Sequence, residues 1–70
     1  MKNDIKAKFG KQLRALREEQ GYTQEDLADR AGMHFTYVGQ IERGLRNPSL
    51  VNLHKLAKAL KVDAGTLLPF

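Results

Sequence analysis

The sequence predicts an all-α protein, folded as a compact five-helix bundle. Apolar residues recur at steps of three and four, which is the spacing of helices that each bury one face. Glycines and helix-capping side chains separate these periodic stretches and indicate where helices begin and end. The chain has 70 residues and no cysteine, so its stability must come from helix packing, alone or together with a partner subunit.

The first helix is predicted over residues 4–20. Its apolar residues recur at four- and three-residue steps and form a single face: Ile5, Phe9, Leu13 and Leu16. The opposite face is rich in lysine and arginine and is expected to be solvated. Gly21 follows as the left-handed residue that ends the helix.

The centre of the chain is predicted to form two short helices, over residues 24–31 and 35–43, joined by a tight turn. Thr23 opens the first of them with a sequence typical of a capping box. The inward stripe of the pair is narrow and regular: Leu27, Ala28, Ala31, Val38 and Ile41. Gly32 lies at the turn, where a left-handed backbone favours glycine. This arrangement is typical of a helix-turn-helix, whose second helix can enter a DNA groove.

Two further helices are predicted over residues 49–60 and 64–68, capped by Ser49 and Asp63. The buried stripe of the first is expected to contain Leu50, Leu53, Leu56, Ala57 and Leu60. The C-terminal apolar residues either complete the core or form a dimer interface. We favour the interface, and assign to it Val62, Leu67, Leu68 and Phe70. The whole chain, residues 1–70, is interpreted as one domain.

The composition excludes several classes of protein. Two isolated histidines, without cysteine or clustered carboxylates, predict neither a metal site nor a cofactor. No nucleophile–base set and no phosphate loop indicates an enzyme. No apolar run reaches the roughly 18 residues that cross a membrane, and no signal peptide is visible, so we expect a cytoplasmic protein. The small size predicts no ligand-sensing domain and no small-molecule ligand.

The charge of the chain favours a polyanionic partner. The net charge is +4 and the pI is near 9.7. The positive charge lies in the flanks, because residues 1–20 and 45–70 each carry a net +3 while residues 21–44 carry −2. On DNA, the flanks would therefore supply much of the attraction, and the central helices mostly polar and aromatic contacts.

The outward face of the helix over residues 35–43 carries the side chains best suited to reading DNA. They are Phe35, Thr36, Gly39, Gln40 and Arg43, with Tyr37 to one side. Gln40 offers a donor and an acceptor and suits adenine, while exposed aromatic rings suit the thymine methyl group. The alternative for Phe35 is that it packs back on the turn as core. Because Gly39 has no side chain, it is expected to let this face of the helix approach DNA closely.

Residues around this helix are expected to contact DNA phosphates. His34 precedes the helix and is expected to act as its cap or to contact a phosphate, the alternative being a histidine without a functional role. Arg43 and Arg46 flank the loop that follows, where an arginine fork suits phosphate, and Asn47 can add a hydrogen bond. Gln24 lies in the first turn of the preceding helix, whose partial positive charge favours a phosphate.

Several of these residues also match a known pattern. Five stand at a characteristic mutual spacing: Gln24, Ala28, Gly32, Val38 and Ile41. The strings Ile-Glu-Arg-Gly (41–44) and Asn-Pro-Ser-Leu (47–50) follow. With them the chain resembles, over about residues 6–68, the phage Cro/repressor-type (Xre-like) helix-turn-helix domain, which has a lambda-repressor-like fold. The strings over 35–38, 41–44 and 46–49 also resemble the controller proteins of restriction–modification systems, which often carry Arg where this chain has Phe35.

The resemblance implies roles that the residues alone do not establish. Arg17 and Glu42 are expected to form a structural ion pair that clamps the first helix to the recognition helix. For Gln24 the resemblance favours a phosphate contact over the alternative of an ordinary exposed glutamine. The last helix is expected to contribute to a two-fold dimer, which would place two recognition helices about 34 Å apart on a palindromic site.

The leading interpretation is a sequence-specific transcriptional regulator that binds double-stranded DNA as a homodimer. A second interpretation, from another class, is an antitoxin or an adaptor whose main partner is another protein. Exposed aromatic residues fit that interpretation too. The two differ in the salt dependence of DNA binding, which is steep only for the first.

Overall fold

The computed structural model describes residues 4–70, so the first three residues of the predicted domain lie outside the described residues. Within this range the chain forms five helices: α1 (Ile5–Glu19), α2 (Gln24–Ala31), α3 (Phe35–Glu42), α4 (Leu50–Leu60) and α5 (Ala64–Leu67). The predicted all-α, five-helix fold is confirmed. None of the five, within residues 4–70, combines the length and the apolar character needed to cross a membrane.

Four helices are shorter than predicted, because residues assigned to their ends act as caps. Asp4 caps α1 by accepting a hydrogen bond from the Ala7 amide at 3.1 Å, and Ser49 caps α4 through the Asn52 amide at 3.1 Å. Arg43 lies just after α3 with non-helical backbone angles. The α2 helix begins with the predicted capping box, in which Thr23 and Asp26 bond reciprocally to each other's amides at 3.0 and 2.9 Å.

The turn between α2 and α3 is closed by a Schellman-type pair of backbone hydrogen bonds. The Met33 amide donates to the Ala28 carbonyl at 3.0 Å and the Gly32 amide to the Asp29 carbonyl at 3.3 Å. Gly32 has a φ of 70°, a left-handed value that a side chain would strain. The chain therefore changes direction within three residues, and α3 packs across α2 in a helix-turn-helix.

The core lies between α1, α2, α3 and α4 and is closed at one end by α5. Its buried apolar residues are Phe9, Leu13, Leu27, Ala28, Ala31, Val38, Ile41, Leu56, Ala57, Leu60 and Leu67. Leu50 was expected in this core but is 82% exposed, because it begins α4 at a point where no neighbouring helix covers it. Leu53 is only partly buried against the core.

Leu67 requires a correction. It was assigned to a dimer interface, but its side chain has no exposed surface and completes the core from α5. It therefore offers nothing to a partner in this fold. Val62 and Leu68 are half-buried, and Phe70 is 85% exposed.

Gly10 explains how closely α1 and α3 approach each other. A Cβ atom at this position would lie 2.5 Å from the carbonyl oxygens of both Ile41 and Glu42, too close for any side chain. Gly10 therefore lets α1 cross directly over the C-terminal end of α3. A glycine inside a helix costs roughly 1 kcal/mol relative to alanine, and here the cost is offset by this packing.

Candidate nucleic-acid interface

The N-terminal turn of α3 presents a small exposed surface built by its cap. His34 is the N-cap residue, and its Nδ1 accepts a hydrogen bond from the Thr36 amide at 3.2 Å. In the structure His34 therefore caps α3 through Nδ1, and its Nε2 takes no part in the cap. Thr36 is exposed beside it.

Phe35 stacks on His34 rather than in the core. The two ring centroids lie 5.0 Å apart with an angle of 21° between the ring planes, and Phe35 remains 47% exposed. Its alternative placement as a core residue is therefore not what the structure shows. A half-exposed aromatic ring at the start of a helix can contact a thymine methyl group in the major groove.

Tyr37 is fixed to the body of the protein. Its ring is half-buried against the core, and its hydroxyl accepts a hydrogen bond from Asn52 Nδ2 on α4 at 3.1 Å. The ring also lies under the Arg46 guanidinium, whose central carbon is 5.7 Å from the ring centroid. Asn52 was not predicted as part of this site, and no sequence signal distinguishes it from other exposed residues at a helix start.

Gln40 lies one turn further along α3 and is paired within the protein. Its Oε1 accepts a hydrogen bond from Arg46 Nε at 2.9 Å. Arg46 belongs to the loop after α3, so this bond joins the helix to the loop. Arg43 is exposed at the end of the helix. The structure therefore brings Tyr37, Gln40 and Arg46 together into one contiguous cluster.

The C-terminal end of α3 is anchored through Glu42. Arg17 Nε donates to Glu42 Oε2 at 2.6 Å, and a second guanidinium nitrogen donates to Oε1 at 3.1 Å. Arg17 also donates to the Tyr22 carbonyl at 2.7 Å. The hydrogen bond to Glu42 raises the pKa of the Arg17 guanidinium above its usual value, so the arginine carries its charge throughout the neutral range.

Gln24 joins the same network from α2. Its Nε2 donates to Glu42 Oε1 at 3.0 Å, so Glu42 ties together residues from α1, α2 and α3. Gly39 was expected on the outer face, but the structure buries it beneath Gln24 and Arg43. A Cβ at Gly39 would lie 3.3 Å from Gln24 Oε1 and 3.5 Å from an Arg43 guanidinium nitrogen. Gly39 thus leaves room for the Gln24 side chain.

Asn47 follows Arg46 and borders a second feature of the surface. It is exposed on the rim of an apolar groove of about 290 Å³. The groove is lined chiefly by Ile5, Phe9, Leu50, Leu53, Leu68 and Phe70. This groove was not predicted, because its residues come from both ends of the chain and from α4.

An acidic surface adjoins the turn on the other side of α3. Glu25, Asp26 and Asp29 line a shallow depression with His34 and Phe35. Hydrogen bonds from Thr23, first through its backbone amide, hold the pKa of Asp26 below its usual value. These carboxylates give this side of the turn a negative charge at neutral pH.

Comparisons with known proteins agree with this fold. The control protein C.BamHI of Bacillus amyloliquefaciens is 44% identical over 71 residues, which cover 100% of this chain and 88% of that protein. The structure of the restriction–modification controller protein C.AhdI from Aeromonas hydrophila is 49% identical, with a TM-score of 0.89, and the match covers 90% of this chain and 96% of that one.

A third similar structure contains DNA. The biofilm master regulator SinR, solved in complex with DNA, is 38% identical with a TM-score of 0.81, and the match covers 84% of this chain and 95% of that one. The family model described as "Helix-turn-helix" (HTH_3) matches residues 13–67, which include all of α2, α3, α4 and α5. On this evidence, the chain belongs to the HTH_3 helix-turn-helix family.

Proposed function

We propose that this protein is a sequence-specific DNA-binding transcriptional regulator, with α3 as the helix that enters the major groove. The observation that carries the proposal is the anchoring of α3. Its C-terminal end is locked to α1 and α2 through Glu42, while its outward side keeps Phe35, Thr36 and Gln40 at the surface. A rigidly held helix with exposed polar and aromatic side chains is the arrangement that direct readout of bases requires.

We assign the residues of α3 and its surroundings to two kinds of DNA contact, with bases and with phosphates. In this proposal Thr36, Gln40, Phe35 and the edge of Tyr37 meet base edges. Phosphate contacts fall to Gln24, His34, Arg43, Arg46 and Asn47, which surround the helix in sequence and include both arginines of the loop region. The SinR–DNA complex supports this role for the fold, because SinR shares it at 38% identity.

We also propose that the protein acts as a homodimer on a palindromic double-stranded operator. The apolar groove supports this, because Leu50 and Phe70 beside it are 82% and 85% exposed, more than a stable monomer surface favours. Leu68 and Val62 are half-buried near the same end of the chain and can add apolar area. Two copies joined here would carry two recognition helices, and a palindrome would match their two-fold symmetry.

The narrower proposal is a controller of restriction–modification genes. Its support is the likeness to C.BamHI and C.AhdI, each over at least 90% of this chain. The test is to search the DNA upstream of this protein's own gene and its neighbours for the operator, and then to measure reporter transcription with and without the protein.

The experiment that tests the main proposal is selection from a random duplex pool at near-physiological salt. We expect enrichment of a palindrome with half-sites about one helical turn apart. Recovery of no motif would contradict it, since weak binding without a sequence preference is what net charge alone produces. In that case an antitoxin or adaptor role would be the next hypothesis to test.

A further inference from the structure

The contact between Gln40 and Arg46 is built by the backbone as well as by side chains. The loop after α3 closes with a Schellman-type pair, in which the Leu45 amide donates to the Gln40 carbonyl at 2.9 Å and the Gly44 amide to the Ile41 carbonyl at 3.0 Å. Arg46 follows immediately, so its backbone is fixed relative to Gln40. The 2.9 Å side-chain bond is therefore a consequence of how α3 ends.

A second contact, with the Tyr37 ring, also holds the Arg46 side chain. Its guanidinium lies over the Tyr37 ring, and Tyr37 is held in turn by Asn52 on α4. The chain of contacts runs from α4 through Tyr37 and Arg46 to Gln40. A side chain held on two sides loses less entropy when it makes a further contact, so this arrangement preorganises Gln40 before DNA arrives.

The chemistry of the pair decides how the Gln40 amide is oriented. Arginine has only donors, so the Gln40 atom that faces it must be the acceptor Oε1. The Nε2 donor group then lies on the other branch of the amide. Adenine, guanine and thymine each present an acceptor in the major groove, and adenine adds a donor for the second lone pair of Oε1. Cytosine presents only a donor, which can meet the second lone pair of Oε1 but leaves the Nε2 donor without a partner on that base.

We propose that Arg46 is a positioning residue for base readout: by holding Oε1 of Gln40, it makes Gln40 discriminate against cytosine at the base pair it meets. The proposal rests on the proposed function and refines it, since Arg46 was otherwise expected only to bind phosphate. Without Arg46, the Gln40 amide can rotate by 180°. Oε1 then faces the base in place of Nε2, and an acceptor in that position suits the cytosine donor.

The test uses the selected operator and a set of duplexes in which each base pair is changed singly. Gln40→Ala first identifies the base pair that Gln40 reads. We expect Arg46→Ala to reduce the discrimination against cytosine at that same base pair by roughly tenfold, the scale of one base contact. Arg43→Ala is the matched control: an exposed arginine three residues away, expected to weaken all duplexes by a similar factor and to leave the base profile unchanged.

Three results would overturn this role. The first is Arg46→Ala weakening every duplex equally, as Arg43→Ala does, which would make Arg46 a phosphate contact. The second is a Gln40→Ala profile that matches the wild type at every base pair. The third is a wild-type chain that enriches no motif, which would contradict the proposed function itself and is seen before any variant is made. Circular dichroism of both arginine variants, which are exposed, separates loss of readout from loss of fold.

Discussion

Arg17 and Glu42 face each other through two hydrogen bonds, of 2.6 and 3.1 Å, with side chains only 10% and 3% exposed. The pair joins the end of α1 to the last residue of α3, and Gln24 adds a third bond to the same carboxylate at 3.0 Å. The hydrogen bonds to Glu42 thus join α1, α2 and α3 through one side chain. Glu42 therefore anchors α3 to α1 and α2.

Removing the carboxylate is expected to destabilise the protein strongly. Glu42→Ala leaves the Arg17 guanidinium buried and without its partner, and we expect the free energy of unfolding to fall by about 3 kcal/mol. The double variant Arg17→Met with Glu42→Leu should cost less, because no charge is left unpaired. Urea unfolding followed by circular dichroism measures both changes.

The chain offers a control for this experiment in an exposed pair. Arg14 and Glu18 lie 3.1 Å apart on α1, with side chains 65% and 56% exposed. Arg14→Ala should therefore cost no more than about 0.5 kcal/mol. Similar small losses for Glu42→Ala and Arg14→Ala would contradict the structural role of the buried pair.

Gly10→Ala tests the close crossing of α1 over α3. Helix propensity alone predicts a gain of roughly 1 kcal/mol, because alanine is the better helix former. We expect a loss instead, since the new Cβ would lie 2.5 Å from two backbone carbonyl oxygens. Gly65→Ala is the control: its Cβ would meet nothing within 4 Å, and it should be neutral or slightly stabilising. The opposite order of thermal midpoints would rule out the crossing described here.

The capping box at the start of α2 predicts a pH dependence. Hydrogen bonds from Thr23 lower the pKa of Asp26 in the folded state. The stabilisation is therefore complete at neutral pH and is lost as the pH falls through the lowered pKa of the folded state. The stability difference between wild type and Asp26→Asn should be constant from pH 6 to 8 and shrink below about pH 4.

A second aspartate separates the effect of this cap from that of charge alone. Asp63 is the N-cap residue of α5 but makes no side-chain capping bond. Asp63→Asn removes the same charge and should change stability little at neutral pH. If Asp26→Asn and Asp63→Asn gave the same stability from pH 3 to 8, the capping box would have no measurable role.

The dimer proposal can be tested at the apolar groove. Phe70→Glu and Leu50→Glu place a charge on its most exposed side chains, and each should shift the protein from dimer to monomer in sedimentation equilibrium. Leu45→Glu is the control, because Leu45 is 62% exposed but does not line the groove. Dimers that persist in both groove variants, or dissociate equally in the control, would place the interface elsewhere.

Periodicity in the sequence predicted the five helices and most of the core. It failed for Leu50 and Leu67 for related reasons. Periodicity shows which residues share a face of a helix, but not how far the neighbouring helix extends over that face, and Leu50 lies beyond that cover. In a helix of four residues, such as α5, one turn is too short to define a face, so Leu67 could not be assigned to the core from its spacing.

The sequence predicted which residues form the candidate site better than it predicted the contacts between them. The sequence indicates Gln40, Arg46 and Tyr37 as outward or flanking residues, but the bond from Arg46 back to Gln40 depends on how the loop leaves α3. Gly39 was placed on the outer face because helical geometry puts it there, and only the reach of the Gln24 side chain buries it. A signal for Gly10 was present, since a glycine inside an otherwise strong helix often marks close packing.

Gln40→Ala on the selected operator tests most directly whether α3 reads bases. The measurement is a binding titration of wild type and variant against the operator and its single-base-pair variants at one fixed salt concentration. We expect the variant to lose about 1–3 kcal/mol of discrimination at one base pair in each half-site, while its affinity for unrelated duplexes stays unchanged. An equal loss of affinity for every duplex would show that Gln40 contacts only the DNA backbone, and would contradict the assignment of α3 as the reading helix.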